Sequence, residues 1–253
     1  MDNPHAAQFV GKVRLDFDAL PSTNTFAIEL LSKQKPPEGT TIVARYQSAG
    51  RGQLSKSWES EPGQNIILSV ILYPDFLFPS EHILLNQTIA LGVHDFISSF
   101  VKENVKIKWP NDIMVGDKKI AGILLQNSLQ GESIQYCVVG IGININQTEF
   151  HTAERPTSAA LETERRYDLE ELILQLCYFL EKRYIRLREK QFEQINADYH
   201  RQLYRRDEWK DYCKTTDEQV FSARLLGITT EGKLMLQTAG ELLVFNLHEI
   251  RFI

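Results

Sequence analysis

Residues 13–18 alternate apolar with polar side chains, residues 40–46 are rich in β-branched types, and residues 65–73 are mostly apolar, interrupted by Ser69. These patterns predict three strands, the last of them mostly buried. After Pro79-Ser80 the period changes. Leu85, Ile89, Val93, Phe96 and Phe100 recur at steps of four, four, three and four, which is one face of a helix. Val105, Ile107 and Trp109 then alternate with Asn104, Lys106 and Lys108, predicting a half-buried strand stopped by Pro110. Residues 113–115, 120–126 and 134–145 predict further strands, with turns at Asn111-Asp112 and Gly116-Asp117.

From Asp168 the pattern is helical again. Asp168 with Glu171 makes a capping-box-like start, and Leu169, Leu172, Ile173, Leu176 and Leu180 form an apolar stripe. Between Glu181 and Arg206 eight Lys or Arg stand against four Asp or Glu. A solvated helix face is the usual origin of such a run, with nucleic-acid or membrane contact as the alternative. Residues 220–226, 233–237 and 241–245 return to short strands, a small antiparallel barrel-like unit. The chain therefore reads as an α+β main domain, residues 1–206, followed by a β module, residues 207–253. No repeat of solenoid or propeller spacing is present.

Composition narrows the classes. The 253 residues are 43% hydrophobic and 24% charged, ordinary for a globular chain with a substantial core. No apolar run approaches the roughly 18 residues of a membrane helix. The first residues have neither a basic nor an apolar leader character, so a cytoplasmic location is expected. The net charge of −5 argues against a dedicated nucleic-acid binder. Cys137, Cys177 and Cys213 are far apart and lack a C-x-x-C pair, and the six histidines lack ligand spacing, so no metal held by the protein alone is expected. Cys137 and Cys177 read as core fillers.

Four segments carry candidate chemistry. The stretch from Gln47 to Trp58 places Arg51 between Gly50 and Gly52 directly after a strand. It can present backbone N–H groups and a guanidinium to an anion, or be a plain surface turn. It is neither a Walker A loop nor a dinucleotide fingerprint. In Lys106-Ile107-Lys108-Trp109-Pro110-Asn111-Asp112, an ammonium, an amide and a carboxylate gather at a strand end. They suit a charged substrate with Mg²⁺, while for the segment taken alone a simple turn is the favoured reading. Lys118-Lys119-Ile120-Ala121-Gly122 sets a lysine beside small residues, able to reach a ligand carboxylate or to be a solvated hairpin lysine. Gly140 and Gly142 mark a bulge or the close approach of a ligand.

Taken together, in this order and spacing, these pieces resemble the biotin protein ligases (biotin–[acetyl-CoA-carboxylase] ligases). The resemblance rests on Ser22-Thr23-Asn24, Gly50-Arg51-Gly52, Lys108-Trp109-Pro110-Asn111-Asp112, Lys119-Ile120-Ala121-Gly122 and Gly140-Ile141-Gly142-Ile143-Asn144, and extends into the C-terminal β module. It implies a mixed central sheet with packed helices, of the class II synthetase-like kind, followed by a small SH3-like barrel. The implied reaction converts biotin and Mg-ATP to biotinyl-5′-AMP and pyrophosphate, then passes biotin to a lysine of the biotin carboxyl carrier domain of a carboxylase. Such chemistry needs positioning and electrostatic stabilisation rather than an enzyme nucleophile.

By the same resemblance, Ser22, Thr23, Asn24 and Gln47 are expected to contact biotin, with Gly50, Gly52 and Gln53 in the neighbouring loop. Arg51 is expected to order over the intermediate and neutralise its phosphate, and Lys119 to bind the biotin carboxylate, with Gly122 leaving room. Trp58, Lys108, Asn111 and Asn144 are expected on the nucleotide side. Asp112 is the candidate for orienting the acceptor lysine, with a turn role as the alternative. Many relatives follow the GRG element with further basic or glycine residues, whereas Gln53, Leu54, Ser55 and Lys56 follow here, making the loop less positive. Some relatives carry an N-terminal helix-turn-helix domain. With 21 residues ahead of Ser22, the form without that domain is expected: a monomer or homodimer with no DNA or membrane partner. The rivals are a lipoate or octanoate ligase or transferase of the same fold, and a non-catalytic biotin-binding module.

Overall fold

The computed structural model describes residues 7–50, 52, 57–102, 104–131, 133–151 and 155–253. A seven-stranded mixed sheet is formed by β1 (Arg14–Phe17), β2 (Thr41–Ala44), β3 (Ile66–Leu72), β4 (Val105–Lys108), β5 (Asp112–Val115), β6 (Lys118–Gln130) and β7 (Ser133–Ile143). Its order is β1-β2-β3-β7-β6-β5-β4, with β1 parallel to β2 and every other pairing antiparallel.

Because side chains alternate across a strand, the register divides the sheet into two faces. Ile107, Ile113, Ala121, Ile143 and Ile66 lie in one cross-strand row and are buried in the main core. That core is closed by α2 (His82–Phe100), α4 (Leu169–Arg188) and α5 (Phe192–Gln202). On the opposite face α1 (Thr23–Lys33) packs Ala27 on Ile42, Ile71 and Val138. The short α3 (Ala159–Thr163) follows β7.

The helix predicted after Pro79-Ser80 is α2, and Asp168 caps α4 by accepting hydrogen bonds from the backbone of Glu170 and Glu171. The pattern does not announce α1, since Phe26, Ala27, Ile28, Leu30 and Leu31 run almost without polar interruption. The basic run departs from a solvated face. Arg183 bridges Asp95 of α2 and Asp198 of α5 at 2.6 and 2.7 Å, and Glu181 accepts backbone hydrogen bonds from Gln8, Phe9 and Val10. Opposite charges supplied by other elements let these groups sit inside.

A second sheet holds β8 (Trp209–Lys214), β9 (Val220–Ile228), β10 (Leu234–Gln237), β11 (Leu242–Phe245) and β12 (Ile250–Phe252), antiparallel in the order β11-β10-β9-β8-β12. It is the small β module expected, with β8 and β12 added at one side. Trp109 joins the sheets: its indole N–H donates to Gly232 O at 2.9 Å.

Candidate active site

A cavity of about 930 Å³ opens on the sheet face opposite the α2–α4 core. Its floor is a second cross-strand row: Lys108 pairs with Asp112, Asp112 with Gly122, Gly122 with Gly142, and Gly142 with Ile67. One step along the strands, Leu124, Gly140 and Ser69 form a parallel row. The glycines there make space. A Cβ on Gly140 would overlap the Asn24 amide, and one on Gly142 would overlap the Trp58 indole.

Lys119 reaches this face through an irregularity. The β5–β6 register pairs Ile113 with Ala121 but Met114 with Lys119, leaving Ile120 as the extra residue of a bulge. Ile120 and Ala121 are therefore both in the core, and Lys119 turns toward the cavity that strict alternation from Gly122 would deny it. Its Nζ lies 2.9 Å from Asp112 Oδ1 and 5.9 Å from the centroid of a Trp58 ring. Backbone bonds on the other side, from Lys119 N to Arg155 O and from Thr157 N to Lys119 O, hold the strand start.

At the other end the N-terminus of α1 builds a polar cluster. Ser22 is the N-cap, accepting from Thr25 N; Gln47 Oε1 accepts from Thr23 N at 2.7 Å and from its hydroxyl at 3.0 Å. Ser69 Oγ lies 2.7 Å from Thr23 Oγ1 and 2.6 Å from Asn24 Oδ1, and Asn24 Nδ2 donates to Gln126 Oε1. Ser22, Thr23, Asn24 and Ser69 are all buried.

The structure thus brings Ser22, Thr23, Asn24, Gln47, Gly52, Trp58, Lys108, Asn111, Asp112, Lys119, Gly122 and Asn144 onto one cavity. Gly50 does not border it; its carbonyl accepts from Trp58 N at 3.0 Å. Arg51 and Gln53 lie outside the described residues. Asn111 commits its side-chain N–H to Ile123 O, bracing the edge of β6. Lys106, on the same strand as Lys108, leaves the site and donates to Gln202 on α5.

Two buried polar atoms on the cavity wall have no hydrogen-bond partner among the described residues: Asn144 Oδ1, whose amide nitrogen donates to Thr157 O, and Trp58 Nε1. An orphan acceptor and an orphan donor in one cleft fit a ligand that supplies both complements. Among the described residues no group of three or more metal-ligating side chains occurs. Cys137 is fully buried and burial pushes its thiol up, far from a reactive nucleophile.

Sequence reasoning missed several wall residues. Ser69, which supports the wall residues Thr23 and Asn24 without lining the cavity, had a signal, as the polar break in an apolar strand. Phe150 and Pro156 follow β7 on a loop without periodicity, and Thr215, His248, Arg251 and Phe252 arrive from the second sheet.

Fold and cleft together define an α+β protein that holds an ammonium and a carboxylate over a glycine-lined sheet face. The profile of the biotin/lipoate A/B protein ligase family matches residues 17–144, and the chain belongs to that family. It is 31% identical to the bifunctional ligase/repressor BirA of Bacillus subtilis (strain 168) over 235 residues, covering 91% of this chain and 71% of that protein. It is 34% identical to the biotin–[acetyl-CoA-carboxylase] ligase of Paracoccus denitrificans over 108 residues, 41% of this chain and 43% of that one. The fold matches that of the biotin protein ligase from Aquifex aeolicus in complex with biotin and ATP, with a TM-score of 0.78, 24% identity, and coverage of 96% of this chain and 100% of that one.

Proposed function

We propose that this protein is a biotin protein ligase that forms biotinyl-5′-AMP from biotin and ATP and transfers biotin to a lysine of a biotin carboxyl carrier domain. The observation that carries the reading is the cluster of Lys119, Asp112 and Lys108 over Gly122 and Gly142, within a family of biotin and lipoate ligases.

In the first step a biotin carboxylate oxygen attacks the α-phosphorus, the α–β bridging P–O bond breaks, and pyrophosphate leaves with the bonding electrons. Lys119 is proposed to hold the attacking carboxylate in line, exchanging Asp112 for the substrate's own carboxylate. Ser22, Thr23, Asn24 and Gln47 would take the opposite end of biotin, where donors and acceptors are already ordered by α1. Trp58, Asn144 and Lys108 would receive the nucleotide, with Arg51 closing on its phosphate. In the second step the acceptor lysine amine attacks the mixed anhydride and AMP leaves; Asp112 would orient that amine. Mg²⁺ would enter on the ATP phosphates, consistent with a cavity whose carboxylates Asp112 and Glu59 are engaged by Lys119 and His151 N. The same proposal divides the chain into a catalytic unit, residues 1–206, and an SH3-like module, residues 207–253, supported by the start of the second sheet at Trp209.

Buried, inert Cys137 disfavours an acyl-transferase that works through a thiol. The test is ATP–pyrophosphate exchange with biotin or lipoate added separately, followed by mass analysis of a carrier domain. Exchange with biotin and a single biotinyl addition are expected. Exchange with lipoate alone would replace biotin as the substrate.

A further inference from the structure

We infer that His248, delivered by the second sheet, donates a hydrogen bond to the β- and γ-phosphates of ATP and so to the departing pyrophosphate. The inference rests on the ligase reading and adds a leaving-group contact to it.

Three observations carry it. Six described non-glycine residues have positive φ, and His248, at φ 72°, is the one of them that borders the large cavity. A residue with a Cβ is held in the left-handed region only where the surroundings over-determine it, and such positions concentrate at ligand sites.

The backbone at His248 is fixed from outside. Thr215 Oγ1 donates to His248 O at 2.5 Å, and Glu249 accepts from Asn246 N at 2.6 Å, closing the turn that precedes β12. His248 is exposed and borders the cavity, and its side chain has no hydrogen bond to the described residues. The fold therefore fixes the main chain of a cavity-bordering residue whose imidazole is not engaged by the described residues.

Position selects the phosphates. The floor row runs from Gly122 through Asp112 to Lys108, two strand spacings or about 10 Å. Lys108 Nζ lies 5.1 Å from the ring centroid of Phe252 on β12, so the second sheet walls the Lys108 end of the cavity. The Ser22–Gln47 cluster lies toward the other end, and the Lys119 ammonium stands on Asp112, the cross-strand neighbour of Lys108. Attack at the α-phosphorus beside Lys119 directs the β- and γ-phosphates toward Lys108 and this wall. Arg251 on the same wall donates to Glu218 at 2.6 Å, so its charge is partly spent there. In the reaction the α–β P–O bond breaks and its electrons go to pyrophosphate; the His248 N–H meets that charge without giving up its proton.

The test is His248→Gly in the full chain, because glycine accepts the left-handed backbone and keeps the turn. The thermal midpoint is expected to be unchanged or higher. Calorimetric titration with α,β-methylene-ATP, whose α–β bridge cannot cleave, is run with and without biotin and compared with AMP. The variant is expected to lose about 5- to 20-fold in affinity for the triphosphate analogue and to keep its affinity for AMP. In exchange assays KM for ATP rises while KM for biotin and transfer from preformed biotinyl-AMP are unchanged. Equal binding of the triphosphate analogue by both proteins, or parallel losses for the analogue and AMP, overturns the assignment. A wild-type protein that binds the analogue yet shows no biotin-dependent exchange overturns the ligase reading, while the comparison with AMP still decides His248.

Discussion

Lys119 Nζ stands 2.9 Å from Asp112 Oδ1, with the two side chains 22% and 23% exposed. An ammonium so placed is already paired with a carboxylate in a partly dehydrated cleft. A substrate carboxylate competes with Asp112 for this ammonium, and it is held only if Lys119 shifts toward it or other cations of the cleft offset the added negative charge.

Lys119→Ala should slow biotin-dependent pyrophosphate exchange by about 10- to 150-fold, the kinetic equivalent of a charge-assisted hydrogen bond. Lys119→Arg should rescue only part of the loss, because the guanidinium places its charge differently. Transfer from supplied biotinyl-AMP should suffer less than the full reaction. Near-normal exchange with collapsed transfer would move Lys119 to the acceptor side.

Asp112→Asn should give the reverse split. Transfer to the carrier domain is expected to fall on the order of 10²-fold, as for loss of a positioned proton acceptor, with a far smaller change in exchange. Equal losses in both steps would mean that Asp112 acts by holding Lys119.

Gly142→Ala should cost about 1–3 kcal/mol or displace Trp58, since the new Cβ would enter the space of the indole. Trp58→Phe in the same chain should recover much of the stability if the clash is the cause. Urea unfolding of the two single variants and the double variant measures the coupling.

The buried ion network should set acid stability. Burial alone would raise the Asp95 carboxyl, but hydrogen bonds from His94 and Arg183 outweigh it and hold it below the ordinary 3.8. For Asp198, burial is likewise outweighed by Arg183 and Gln194. With folded values below unfolded ones, this stability is fully present above the unfolded value and is lost as pH falls through the folded values. Melting temperatures should therefore drop steeply below about pH 4. Arg183→Met should cost about 1.5–3 kcal/mol at pH 7, since it removes the partner shared by Asp95 and Asp198 and leaves them His94 and the Arg201 and Gln194 contacts, and it should flatten the acid limb. An unchanged acid limb would remove Arg183 as its origin.

Local pattern carried much of this architecture in the chain alone. The α2 stripe from Leu85 to Phe100, the β4 alternation and the Asp168 cap depend on neighbours within a few residues, where periodicity and capping chemistry act directly. The glycines at 122, 140 and 142 and the KWPND segment were likewise visible as candidate chemistry. Pairing across the sheet decided the rest. Alternation counted back from Gly122 sends Lys119 into the core, and only the bulge at Ile120, set by the register between β5 and β6, turns it to the cleft. Arg183 looked solvated until Asp95 and Asp198, 88 and 15 residues away, supplied its counter-charges. The strand β12 is short and pairs only with the distant β8, and β8, though it also pairs with β9, is mostly polar and exposed, so their local signal is weak. His248 had no motif at all. Its place on the cavity wall follows from docking the second sheet on Lys108 and Trp109, a long-range packing event that no spacing in the sequence encodes.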